Sequence, residues 1–305
     1  MEMMLVLIRQ IIQMFLLAGI GFLLFKGKKI SQEGSKSLGN ILIYLVLPAV
    51  IINSFLVERN QEHLLGIACS AVAAFVLLLG SILISQLLFR KDPIAAFSAA
   101  FSNPGFFGIP LIVASLGQGA VFYVACFIAF LNVGQWTYGV AVMTGQPVRE
   151  GFRIQKLIRA PFMTAIIIGL VLFFTQVQLP SVLQGCLTTV TGLNTPLAMF
   201  TIGIYLAQTD LKRMFAKKAL YLTSLVRLLV IPLLTVLLLA LVPETMHSMK
   251  MALLLAMACP VGSNVAVYAQ LHGKDYAYAV ENVVISTLFS ILSIPAIVWV
   301  ASVLW

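Results

Sequence analysis

The chain has 305 residues, 61% of them hydrophobic and 10% charged, with a formal net charge of +9. Soluble domains sit near half apolar and a quarter charged, so a water-soluble globule of this composition could not cover its own surface, and a polytopic helical membrane protein is the class that remains. The positive charge falls in short clusters between apolar runs, without a zinc finger, an RNP-type aromatic motif or a basic helix; it therefore argues for membrane topology and against a nucleic-acid partner.

A spanning helix needs roughly 20 mostly apolar residues. Dividing the sequence at its charged and turn-rich breaks predicts ten such segments in chain order: 4–25, 38–56, 64–89, 94–116, 121–144, 160–174, 182–207, 220–242, 248–271 and 276–305. The first run has no small-residue cleavage site and reads as a retained first helix. Cys69, Cys126, Cys186 and Cys259 are widely spaced, form no CxxC pair and read as small buried apolar residues.

The loops between these segments differ sharply in charge. Lys26, Lys28, Lys29 and Lys36 fall in the first loop, Arg90 and Lys91 in the third, and Arg149, Arg153, Lys156 and Arg159 in the fifth. Lys212, Arg213, Lys217 and Lys218 fall in the seventh and Lys274 in the ninth, whereas the even loops hold only Arg59 and Lys250. Cytoplasmic loops carry the excess of Lys and Arg, so both termini are expected on the outer side. The polar stretch 145–159 is then a cytoplasmic linker between two five-helix units, 1–144 and 160–305. The first unit starts outside and the second inside, which makes them inverted copies if they share a fold.

Two prolines support that symmetry. An offset of 156 residues carries Pro104 in the fourth segment onto Pro260 in the ninth, and Gly117 onto Gly273 at the segment ends. Both prolines sit near mid-segment, in FSNPGFFGIPL and ACPVGSNVAVY, which are rich in Pro, Gly and small polar residues. Proline removes an amide and clashes with the carbonyl four residues back, at a cost of about 3 kcal/mol or more. In lipid the freed carbonyls find no water, so such backbone persists only where protein or a wet cavity covers it. Gly105, Gly108 and Gly262 let the chain unwind, while Asn103, Ser263 and Asn264 offer groups to the backbone or to a ligand. Plain proline kinks would account for one such helix. Two, at matching places in inverted halves, form the pattern of a transporter binding site, where half-helix N-termini suit an anion.

The phrase SNPGFFGIPL, with CPVGSN in the ninth segment and LPAVIINSF at 47–55, resembles the auxin efflux carrier family, which includes plant auxin carriers and bacterial carboxylate permeases. The likeness spans essentially the whole chain, and the short central loop matches the compact bacterial type. The resemblance implies an all-α inverted 5+5 fold shared with bile-acid symporters and the bacterial sodium/proton antiporter. It implies a scaffold of helices 1, 2, 6 and 7 that dimerises with a second copy, and a mobile unit of helices 3–5 and 8–10 that moves as an elevator. It also implies a bacterial inner membrane. By the same resemblance Asn103, Pro104, Cys259 and Pro260 belong to the crossover, Asn264 to its polar lining, and Asn53 approaches from the scaffold.

Other polar residues inside the segments read two ways. Arg227 is a functional candidate by default that offsets a substrate carboxylate or balances Glu281, whereas Arg9 lies near enough to the outer end to snorkel. Glu281 is either a buried carboxylate that carries a coupled proton or a solvated residue at a helix start, partnered by Lys274. Asn132, Gln135 and Asn282 either line the cavity or bond between helices. Gly19 and Gly21 look like close-packing positions. Trp136, Trp299 and Trp305 are interface anchors or core. His63, His247 and His272 show no metal-ligand spacing. No Walker loop, GxSxG or HExxH is present, so neither an enzyme nor a cofactor is expected.

The expectation is a secondary transporter of small organic anions, mono- or dicarboxylates or auxin-like acids, with the carboxylate held between the broken helices by half-helix N-termini and by Asn103 and Asn264. The alternatives are a sodium- or proton-coupled symporter using Glu281, and a receptor that binds without transporting.

Overall fold

The computed structural model describes residues 2–146 and 160–305, so most of the expected linker 145–159 lies outside the described residues. The elements are α1 (Glu2–Lys26), α2 (Gln32–Ser54), α3 (Gln61–Leu88), α4 (Pro93–Ala100), α5 (Pro104–Leu116), α6 (Gln118–Thr144) and α7 (Pro161–Thr175). They continue as α8 (Ser181–Gln208), the short α9 (Leu211–Ala216), α10 (Lys218–Leu239), α11 (His247–Ala258), α12 (Asn264–Leu271) and α13 (Tyr276–Leu304). Among the described residues the only strand-like feature is one isolated antiparallel bridge, Ser102 with Val261. Seven of these helices are long and apolar enough to cross a membrane: α1, α2, α3, α6, α8, α10 and α13.

Each predicted apolar segment corresponds to helix in the structure, and local chemistry sets the ends. Asn60 Oδ1 accepts the His63 amide at 2.8 Å to start α3, Asp92 Oδ1 accepts that of Ala95 at 2.9 Å to start α4, and Asp275 Oδ1 accepts that of Tyr278 at 2.9 Å to start α13. Such caps satisfy first-turn donors that have no partner within the helix. Gly117 and Gly273, paired by the sequence offset, both take positive φ (85° and 64°) where α5 and α12 end, a conformation costly for any residue with a Cβ.

Two packed groups emerge. Helices α1 and α8 lie along one another, and α2 packs on α7 and on the first half of α8. A side chain at Gly21 would strike the Phe200 backbone, and one at Gly203 the Ala18 backbone, so these glycines permit the α1–α8 approach. Gly19, expected to share that role, has nothing within 4 Å of where its Cβ would lie. In the other group α3 packs on α6, and α4, α10, α11 and α13 pack together around the two chain breaks. Leu16 and Leu23 of α1, Leu87 of α3 and Leu292 of α13 remain exposed, the outward apolar surface expected of helices with lipid as solvent.

Candidate functional site

The fourth predicted segment stops at Ala100 and restarts at Pro104, and the ninth stops at Ala258 and restarts at Asn264. Between those ends the two extended pieces run antiparallel. Asn103 N–H donates to Pro260 O at 3.0 Å, and Gly262 N–H donates to Phe101 O at 2.9 Å. Val261 N–H donates to Ser286 Oγ of α13 at 3.0 Å. Three backbone amides at the breaks are thus paired within the protein, as burial away from water demands. A Cβ at Gly262 would lie 2.8 Å from Ser102 O, so only glycine lets the two pieces come this close. Gly108 serves a similar contact, because a Cβ there would meet Cys259 Sγ at 2.9 Å.

A cavity of about 310 Å³ lies against this crossover. Its wall includes Ser102, Asn103, Pro104 and Gly105 from the first break, and Gly262, Ser263 and Asn264 from the second. Tyr44, Leu47 and Ile51 of α2, Asn132, Gln135 and Trp136 of α6, Phe162 of α7 and Tyr268 of α12 complete most of the rest. Among the described residues lining it, none is charged.

The polar groups of this wall are incompletely satisfied. Asn103 caps α5, its Oδ1 accepting the Phe106 amide at 3.2 Å, while its Nδ2 is buried without a partner. Asn264 Nδ2 donates to Gln135 Oε1 at 2.9 Å and leaves Gln135 Nε2 unpartnered. Ser102 Oγ is a third buried atom with no partner. Ser102, Asn103 and Gln135 are only 2%, 5% and 1% exposed. Leaving a buried polar group unpaired costs about 1–3 kcal/mol, and three such atoms meet at this one cavity.

Irregular helix windings gather here too. Turns with the wider i→i+5 pairing occur at Leu42–Val46, Pro104–Gly108, Gln135–Gly139 and Val226–Val230. The first three contribute Tyr44, Asn103's neighbours Pro104 and Gly105, and Gln135 and Trp136 to the cavity wall. Such bulges are frequent at functional sites. The fourth carries Arg227.

Arg227 is fully buried but does not line the cavity. Its Nη1 donates to Ala99 O at 3.0 Å, to Ala100 O at 3.3 Å and to Ser81 Oγ at 3.4 Å, and its Nη2 donates to Met257 O. Those carbonyls close α4 and α11, so one guanidinium serves the C-terminal ends of both first half-helices. This corrects the expectation that Arg227 faces substrate or balances Glu281. Glu281 pairs instead with Lys217, Nζ to Oε2 at 2.5 Å, and not with Lys274. Lys217 Nζ also lies 5.8 Å from the Tyr278 ring centre, and Tyr278 donates to Asp92 Oδ2 at 3.0 Å.

Further positions differ from the sequence expectation. Asn53 is half-buried and outside the cavity wall, because Leu47 and Ile51 are the residues that α2 turns toward it. Cys259 is fully buried beside the crossover, its Sγ donating to Leu255 O at 3.1 Å, and it does not line the cavity. Pro260 enters through its carbonyl and Gly108 through close packing; neither lines the cavity. Asn282 donates to Tyr278 O at 2.9 Å, away from the cavity wall. Lys250, expected in an outer loop, is 2% exposed within α11, its Nζ 4.4 Å from the Trp305 ring centre. The sequence reading missed Ser102, Ser286 and Tyr44. Among the described residues no group of three or more His, Cys, Asp or Glu side chains could hold a metal ion.

Two comparisons with known proteins bear on the family. The model of a family described as "Membrane transport protein" matches residues 6–154 and 148–298. A curated protein of Rhizobium meliloti (strain 1021), described as "Putative malonate transporter", is 25% identical over 277 residues, covering 86% of this chain and 85% of its own.

Proposed function

The chain belongs to this family of membrane transport proteins, the auxin efflux carriers and their relatives, and from that premise we propose that it is a secondary transporter of small carboxylates, with malonate the first substrate to test. The observation that carries the reading is the cavity at the two helix breaks, where Ser102, Asn103 and Gln135 hold three buried polar atoms without partners. The first turns of α5 and α12 begin at the same place, and helix N-termini favour anions through unpaired amides and a partial positive charge. A carboxylate accepts about four hydrogen bonds and is the natural guest for such a set of donors.

The broader architecture belongs to the same proposal. Residues 1–144 and 160–305 form two inverted five-helix units, supported by the paired breaks, the antiparallel Ser102–Val261 bridge and the matching positive φ of Gly117 and Gly273. The α1–α2–α7–α8 group acts as scaffold and dimer contact, and the remaining helices move past it as an elevator. The membrane is a bacterial inner membrane, and the termini lie on its outer side, a placement that the lysine and arginine distribution supports. Coupling through Glu281 loses support, because that carboxylate is held by Lys217 at 2.5 Å.

Flux in proteoliposomes tests the reading, and also separates a carrier from a receptor. Labelled malonate is expected to enter vesicles containing the wild-type protein. Asn103→Ser, which retains a capping oxygen but removes the free amide, is expected to cut uptake at least tenfold. Wild-type binding without flux would make the protein a receptor, and undiminished flux in Asn103→Ser would remove the assigned site.

A further inference from the structure

The electrostatics of the crossover carry the reading one step further, and this step rests on the proposed function. A helix end bears roughly half an elementary charge, positive at the N-terminus and negative at the C-terminus. At this crossover four such ends meet. The C-terminal ends of α4 and α11, about one negative charge together, are met by the single positive charge of Arg227 through Ala99, Ala100 and Met257. The N-terminal ends of α5 and α12, about one positive charge together, have no counter-charge among the described residues of the cavity wall. The unpartnered side-chain atoms beside them, Ser102 Oγ, Asn103 Nδ2 and Gln135 Nε2, are neutral donors and too few for more than one carboxylate. The wall also carries the apolar Leu47, Ile51, Ile128, Leu131 and Phe162, and none of its described residues is a cation, so a second bare carboxylate there would be buried without a counter-charge among them.

We infer that the site takes its substrate as a monoanion: a dicarboxylate binds with one carboxylate on Ser102, Asn103 and Gln135 and with its other carboxyl group protonated in the uncharged remainder of the cavity. The proton stays on substrate oxygen throughout, so no bond to a protein acid forms or breaks. Movement of the half-protonated diacid is equivalent to moving one proton with the dianion. A pH gradient then drives uptake without any coupling carboxylate in the protein, which agrees with Glu281 being occupied by Lys217.

The test compares malonate with monomethyl malonate, which keeps one carboxylate and replaces the second acidic proton with a methyl group. Equilibrium binding of both to the full chain in detergent is measured across the second ionisation of malonic acid. Among the described residues, titratable groups near the cavity are Tyr44 and Tyr268 on its wall, His272 with its ring 6.4 Å from that of Tyr268, and Arg227 and Cys259 behind the crossover. The ester, charged identically at every pH used, reports any titration of these groups. Malonate affinity is expected to fall about tenfold for each pH unit above the second ionisation, while ester affinity stays level. Malonate and ester affinities that run parallel with pH, or an ester that fails to bind where malonate binds, would overturn the monoanion inference and leave the carboxylate-transport reading standing. Binding of neither ligand at any pH would overturn both.

Discussion

The two sides of the crossover are built from the same material and finished in opposite ways. Behind it, the carbonyls that end α4 and α11 are gathered by Arg227 and Ser81, and Ala100 O alone receives bonds from both. In front, the starts of α5 and α12 open on a cavity of about 310 Å³ where Ser102, Asn103 and Gln135 keep polar atoms unpaired. Interrupting a helix at mid-membrane frees polar main chain on both sides. On the proposed reading, satisfying one side and leaving the other open makes the crossover a binding site of one sign. A ligand bound at the front would pair those atoms, whereas the carbonyls at the back are paired already.

That contrast is sharpest under substitution at Arg227. Arg227→Met leaves the buried Ala99 and Met257 carbonyls without their side-chain donor and Ala100 O with Ser81 alone, and is expected to destabilise the protein by about 3 kcal/mol or more, read as a large loss of melting temperature and of expressed folded protein. Arg227→Lys keeps the charge without the fork that reaches both helices and should fall between the methionine variant and wild type. A methionine variant as stable as wild type would show that the back of the crossover needs no cation.

Gly262→Val comes next. Its side chain would meet Ser102 O, 2.8 Å from an ideal Cβ, and push the two antiparallel pieces apart. Expected is a loss of about 2 kcal/mol of stability, in the range of overpacking, together with loss of malonate flux. Wild-type flux would mean that the close approach of the breaks is dispensable.

Front-side changes should be quiet in stability and loud in binding. Gln135→Leu removes one unpaired donor and the acceptor of Asn264, and is expected to weaken malonate binding about tenfold, a loss of roughly 1.4 kcal/mol, with melting within a few degrees of wild type. Wild-type affinity in this variant would take Gln135 out of the site. The smallest effect belongs to Glu281→Gln. With its carboxylate bound by Lys217 and no contact with the cavity, flux under a pH gradient should stay within about twofold of wild type. Abolished gradient dependence would restore Glu281 as a coupling group.

Much of this architecture is legible in the sequence because hydropathy is a bulk property. The apolar stretches find their helices, and Pro104 and Pro260 mark the interruptions since no continuous helix accommodates them there. Asn103 and Asn264 are legible as polar residues beside those prolines. What stays hidden depends on backbone partners and on helical phase. Nothing in the residues around Arg227 announces that its partners are carbonyls of Ala99, Ala100 and Met257, over a hundred positions away for the first two. The wide turns add one residue to a helical turn without a distinctive composition, so the phase that turns Tyr44 and Gln135 toward the cavity cannot be counted from the sequence. Asn53 fails for a related reason: at about 100° per residue it points nearly opposite to Ile51, which does line the cavity. Gln135 could be weighed only as one of several intramembrane amides until Asn264 was seen bonded to its oxygen.

The central claim is that the unpaired donors at the front of the crossover hold the substrate, and it is tested most directly by removing them together. Thermal stabilisation by malonate, which follows mass action when only the folded state binds, is measured for the wild type and for the triple variant Ser102→Ala, Asn103→Ser, Gln135→Leu. The account predicts that both ligand-free proteins melt within a few degrees of each other, and that a malonate concentration raising the wild-type midpoint leaves the triple variant unmoved. An undiminished malonate shift in the triple variant would contradict it.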